Sequence, residues 1–224
     1  MYDFLGEKRM KFRLAVILCM VSSLQGSIGA CENSWDIAVL LDRSTSMEEH
    51  GFETIKDYTI GMISKMNVGS DKARICVLSF SLNTTLVFDL KTYTSQEELQ
   101  DTVSRIPYQQ GATDIVRALN FAEATLSDET RGARVNVPKF FIVFSDGDFE
   151  PFSPYPNMDK INILAIGTAE LPSYNSQALM KLVKDPNKDF FTTEDQSETV
   201  VNRIGELAKR SCTRLNLDKP YTTG

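Results

Sequence analysis

The chain has 224 residues, of which 42% are hydrophobic and 24% charged, a composition that suits one folded domain with its own core and excludes a disordered or fibrous chain. Thirty acidic residues against 24 basic ones leave a formal net charge of −6, which argues against nucleic acid as a partner. His50 is the single histidine and sits among Glu48 and Glu49, so a Ser/His/Asp triad is not expected and the chain reads as a non-enzyme.

In chain order, Lys8, Arg9, Lys11 and Arg13 precede the apolar run Leu14 to Val21, and the small residues Ser27, Gly29 and Ala30 follow. This is the pattern of an export signal, cleaved after Ala30, with Met10 as a second candidate start. The apolar run is shorter than the roughly 20 residues a membrane-spanning helix needs, and no later segment approaches that length. Loss of residues 1–30 removes four basic and two acidic residues and takes the net charge from −6 to −8. The expected organisation is a signal at 1–30, one domain at 31–213, and a loose tail at 214–224.

Of the four cysteines, Cys19 lies in the signal, which leaves Cys31, Cys76 and Cys212 in the exported chain. Cys76 falls inside the strand-like run ICVLSF, where a small buried thiol is the ordinary state. Cys31 and Cys212 flank the folded region and are paired with each other in an oxidising compartment. The alternative, in which SIGAC is a loose lipobox and Cys31 carries lipid, leaves Cys212 unpaired.

Trp35 to Leu41 (WDIAVLL) is a nearly continuous apolar run and predicts a strand buried on both faces. Phe52 to Met66 places Ile55, Thr59, Met62, Ile63 and Met66 at helical spacing, with Gly69 as a stop. Arg74 to Phe80 and Thr85 to Leu90 flank the turn SLNT and predict a hairpin, hence one antiparallel edge strand. Helices follow at Ser95 to Arg105, with Ser95 and Glu98 as a capping box, and at Thr113 to Leu126. Lys139 to Phe144 and Ile161 to Ile166 read as buried strands, and Ser176 to Val183 and Glu198 to Lys209 as helices, with the short run DFFTT between them. The three prolines Pro151, Pro154 and Pro156 break any helix between Asp148 and Ile161. Alternating strands and helices require an α/β, doubly wound, mostly parallel sheet with one antiparallel edge strand and helices on both faces.

Ligands of such folds sit at the carboxyl ends of the strands. Three polar loops fall there: DRSTS at 42–46, GATD at 111–114 and SDGD at 145–148. Together they offer only oxygen, from the carboxylates of Asp42 and Asp146 and the hydroxyls of Ser44, Ser46 and Thr113. Hard oxygen donors select Mg²⁺, Mn²⁺ or Ca²⁺ over zinc or copper. With two formal charges and several neutral donors, the ion keeps a water-filled position that an incoming carboxylate can take. Asp42 after an apolar strand also suggests a phosphatase nucleophile, but Ser44 stands where that chemistry expects a second aspartate. Arg43, between the first two donors, is placed to pair with Asp148 or with a partner's carboxylate, or to stay solvated.

These three loops, with VPKFFIVFSDG at 137–147 and NILAIG at 162–167, resemble the metal ion-dependent adhesion site of von Willebrand factor A domains. The resemblance runs from about Trp35 to Cys212 and is closest in style to members of the extracellular matrix and plasma, such as matrilins and fibril-associated collagens. It implies Ser44 and Ser46 as direct ligands, Thr113 as a ligand that engages or releases with domain state, and Asp42 and Asp146 holding the shell partly through water. The implied function is a secreted adhesion module that binds an extracellular protein ligand through a Glu or Asp side chain. The alternative is a structural matrix component whose metal site is vestigial or only stabilising. Asn83 opens an Asn-x-Thr acceptor in the hairpin turn, accessible to glycosylation.

Overall fold

The computed structural model describes residues 33–149 and 160–217, with side chains to Thr213. The export signal, Cys31, the proline-bearing segment and residues 218–224 lie outside the described residues.

The elements are β1 (Asp36–Asp42), α1 (Glu48–Ile63), β2 (Arg74–Phe80), β3 (Thr84–Phe88), α2 (Gln96–Ser104), α3 (Ile115–Ser127), β4 (Lys139–Ser145), β5 (Ile161–Gly167), α4 (Ser176–Met180), α5 (Pro186–Asp189), β6 (Phe190–Thr192) and α6 (Ser197–Leu217). The strands form one sheet in the order β3-β2-β1-β4-β5-β6. All pairings are parallel except β2 with β3, as the SLNT hairpin requires.

β1 and β4 are buried along nearly their whole length because both faces are covered, and alternate residues serve the two sides. Ile37, Val39, Leu41, Phe140, Ile142 and Phe144 face one apolar layer, packed on Phe52, Ile55 and Met62 of α1, Leu99 and Val103 of α2, and Val200 and Ile204 of α6. Ala38, Leu40, Phe141 and Val143 face the other, against Ile115, Ala118, Leu119 and Ala122 of α3 and Leu179 of α4. The chain builds outward from β1 to one edge, then returns to β4 on the other side of β1 and builds to the opposite edge. The strand order therefore reverses between β1 and β4, and in folds of this kind ligands bind at the carboxyl ends of the strands beside that reversal.

Several boundaries differ from the sequence expectation. α1 begins at Glu48, a turn before Phe52. Thr113 does not open α3; Asp114 caps it by accepting the Arg117 amide at 3.0 Å, so Thr113 stays in the loop. α4 is only five residues long, and DFFTT contributes the three-residue edge strand β6. α6 continues to Leu217 rather than stopping at Lys209, because Cys212 extends the buried row Val200, Ile204 and Ala208 at every fourth position. Ser95 caps α2 as expected, accepting the Glu98 amide and donating to its carboxylate at 2.7 Å.

At the amino-terminal end of the sheet, the fully buried Asp36 carboxylate is gripped by Arg134, whose Nη2 lies 2.7 Å and Nε 2.9 Å from Oδ1, while its amide donates to Oδ2. Among the described residues, no helix is long and apolar enough to cross a membrane.

Candidate metal centre

The end of β1 meets the end of β4 through two side chains. Ser145 Oγ donates to Asp42 Oδ2 at 2.6 Å and accepts the Gly147 amide at 3.0 Å. The other oxygen of Asp42 accepts the Ser44 amide at 2.9 Å, which folds the first loop back on itself and brings Ser44 Oγ to 3.1 Å from Ser46 Oγ. Asp146 receives matching treatment: Oδ1 accepts the Asp148 amide at 3.0 Å, and Oδ2 accepts the hydroxyl of Ser173.

The turn that carries Asp146 needs glycine at one place. Gly147 has φ +81°, and a Cβ there would lie 2.3 Å from the Asn175 carbonyl oxygen, so both conformation and space demand hydrogen as the side chain. The Asn175 amide in turn donates to the Asp146 carbonyl at 2.6 Å.

The second loop is tied to the first through Thr45. Its amide donates to the Gly111 carbonyl at 2.9 Å, and its Oγ1 accepts the Gly111 amide at 3.1 Å. Tyr108 adds a clamp, donating toward the carbonyls of Ser44 and Thr45. Thr113, two residues past Gly111, is half-buried, and its hydroxyl takes no hydrogen bond among the described residues. The structure thus brings Asp42, Ser44, Ser46 and Asp146 together at the carboxyl ends of β1 and β4 and ties the second loop to the first at Gly111, whereas the Thr113 side chain makes no hydrogen bond to the other four.

Asp42, Ser44 and Asp146 are buried. Burial pushes the Asp42 carboxyl up to about 7; hydrogen bonds from Ser145 and Ser44 oppose that rise, and the neighbouring Asp146 adds to it. Among the described residues neither buried acid forms an ion pair, and two such acids are costly unless a cation joins them. Among the described residues no three carboxylate, imidazole or thiol groups converge, so any ion held here draws on hydroxyls as well. That donor set of carboxylate and hydroxyl oxygen fits a hard divalent ion such as Mg²⁺ or Mn²⁺ and gives zinc none of the sulfur or nitrogen it favours.

Arg43 does not turn to Asp148 and is not solvated. Its side chain is buried and crosses the end of β2, with Nη2 donating to Thr85 Oγ1 on β3 at 3.0 Å. Among the described residues it makes no ion pair. His50 is exposed in the first turn of α1. Asn83 is exposed in the hairpin turn, with Oδ1 accepting from Arg117 at 3.2 Å. Cys76 is buried and free, and Cys212 is buried; the other half of the expected pair, Cys31, lies outside the described residues.

Sequence reasoning missed Ser145, Ser173, Tyr108 and Thr45 as supports of the site. Ser145 carried a signal, since it closes a buried strand beside Asp146, and a buried hydroxyl must find a partner.

A family model, von Willebrand factor type A domain, matches residues 36–206. The chain belongs to this family. Among curated relatives, this A domain is 27% identical over 194 residues to the collagen alpha-4(VI) chain of Mus musculus, covering 84% of this chain and 8% of that protein. It is 26% identical over 187 residues to matrilin-2 of Mus musculus, covering 80% of this chain and 19% of that one. The chain therefore spans well under a quarter of either relative. Among solved structures, proximal thread matrix protein 1 from the mussel byssus, with a zinc-occupied MIDAS motif, matches at TM-score 0.63 and 20% identity over 81% of this chain and 49% of that one. Manganese-loaded TRAP protein of Plasmodium vivax matches at TM-score 0.64 and 20% identity over 76% of this chain and 72% of that one. These likenesses establish the A-domain fold.

Proposed function

We propose that this A domain is a secreted adhesion module of extracellular matrix type that binds a protein partner presenting Glu or Asp. The observation that carries the reading is the pair of buried carboxylates, Asp42 and Asp146, whose oxygens are held by protein donors next to the hydroxyls of Ser44 and Ser46, 3.1 Å apart. Ser44, Ser46 and Thr113 would hold the ion directly, with Asp42 and Asp146 setting the shell and supplying its charge. A bound Mg²⁺ or Mn²⁺ supplies a Lewis-acidic position that a partner carboxylate completes. The zinc- and manganese-bearing relatives by fold support a divalent ion at this edge, and the collagen and matrilin relatives support an extracellular setting.

The remaining residues do positional work. Ser145 and Ser44 orient Asp42, the Thr45–Gly111 tether holds the loop of Thr113 against the first loop, and Gly147 lets the third loop turn beneath Asn175. An export signal at 1–30, an A domain at 31–213 ending in a short tail, a Cys31–Cys212 disulfide and a glycan on Asn83 complete the proposal. Capture of a partner from native extracellular medium tests it: EDTA or Asp42→Ala should abolish capture. Retention of the partner under both conditions favours a structural component whose contacts lie elsewhere.

A further inference from the structure

We propose that Ser173, in a fourth loop outside the five-residue set, is a positioning residue of the metal centre that fixes Asp146 and couples the third loop to the first. The inference rests on the metal-centre reading above.

The loop after β5 contributes no expected ligand, yet it reaches the heart of the site. Ser173 Oγ lies within hydrogen-bond distance of Asp146 Oδ2 and, at 3.1 Å, of the Ser46 carbonyl oxygen. The hydroxyl has one proton, which the shorter contact gives to the Asp146 carboxylate while the Ser46 carbonyl lies close enough to share it, so one side chain sits between the loop that carries Asp146 and the loop that carries Ser46. It does for Asp146 what Ser145 does for Asp42, and it adds a second link between the first and third loops, at Ser46 rather than at Asp42.

Ser173 is itself held on both sides. Two residues earlier, Leu171 is buried against α1 so closely that a Cβ on Gly51 would come within 2.7 Å of its Cδ1. Two residues later, Asn175 caps α4 by accepting the Ala178 amide, while its own amide donates to the Asp146 carbonyl. The hydroxyl has little freedom to wander, as expected of a group that orients a ligand rather than merely satisfying it. With Asp148 N on Oδ1 and Ser173 on Oδ2, each oxygen of Asp146 already accepts a protein donor. The carboxylate is thereby held in one orientation, which it would present to an ion bound beside it.

The test is isothermal titration of the full chain with Mn²⁺ as chloride, for the unsubstituted protein, Ser173→Ala and Ser173→Thr. Thermal unfolding of each is recorded in EDTA and in Mn²⁺. Loss of an outer hydrogen-bond partner commonly weakens metal affinity about 10- to 100-fold. Ser173→Ala is expected to fall in that range and to lose most of the Mn²⁺-induced rise in melting temperature, while Ser173→Thr, which keeps the hydroxyl, retains affinity. A change of less than about threefold on Ser173→Ala overturns the inference. So does equal loss in both variants with a lowered melting temperature in EDTA, which marks a purely structural role. If the unsubstituted chain binds no Mn²⁺, the metal centre itself fails and Ser173 falls with it; binding by the unsubstituted chain with full affinity in Ser173→Ala rejects Ser173 alone.

Discussion

Ser145 Oγ stands 2.6 Å from Asp42 Oδ2 and so bridges β1 and β4 at the point where the strand order reverses. This bond partly offsets the burial that raises the Asp42 carboxyl to about 7. Because the folded-state value stands above the ordinary 3.8, the metal-free fold binds the proton more tightly than the unfolded chain does. Its contribution to stability is complete below about 4 and is lost as pH rises toward 7. A divalent ion reverses this, since it needs the carboxylate. The melting-temperature increase produced by Mn²⁺ should therefore grow between pH 5 and pH 8, and Asp42→Asn should abolish that growth. An ion-induced increase independent of pH contradicts this role for Asp42.

Thr45 and Gly111 exchange hydrogen bonds through the Thr45 amide and side chain. Thr45→Ala removes the side-chain part and should cost about 1 kcal/mol of stability in urea unfolding with EDTA present. Calorimetry should show a clear fall in Mn²⁺ affinity as well, because the loop of Thr113 loses its tether. Unchanged affinity would detach Thr113 from the centre.

Arg134 and Asp36 lie at the opposite end of β1, about 20 Å from Asp42 by strand rise. Arg134→Ala strips a fully buried carboxylate of its partner and should destabilise the domain by about 3 kcal/mol or more. Mn²⁺ affinity of the folded fraction should be unaltered. A large loss of affinity would show that the ends of β1 are coupled.

The long elements were legible because their burial is written in their composition. Between their polar end residues β1 and β4 are apolar without interruption, as is the core half of β5, which demands cover on both faces, and the alternation with helices leaves a doubly wound sheet as the solution. The gathering of Asp42, Ser44, Ser46 and Asp146 followed from strand ends alone. Ser173 was not legible: serines are common in loops, and its contact with Asp146 depends on the path of a loop fixed by Leu171 and Gly51. β6 is too short for periodicity to register, and α6 outran its expected end because a cysteine served as an apolar residue. Arg43 was misplaced because loop arginines are usually solvated, whereas here the side chain lies across the end of β2 to reach Thr85.

A Cys31–Cys212 bond is expected to join the two ends of the domain and to stabilise it by about 3 to 5 kcal/mol in the chain-entropy model. Burial raises the Cys76 thiol above its ordinary value, so Cys76 should resist alkylation until the chain unfolds. Non-reducing peptide mapping checks both points, and a free Cys31 sinks the pairing.

The most direct measurement is calorimetric titration of the unsubstituted chain with Mg²⁺ and with Mn²⁺, repeated on Asp146→Ala. One saturable site for each ion is predicted in the unsubstituted protein, with affinity lost or sharply reduced in the variant. Binding of neither ion, even at millimolar concentration, contradicts a metal-dependent adhesion site in this chain and leaves a structural role as the better reading.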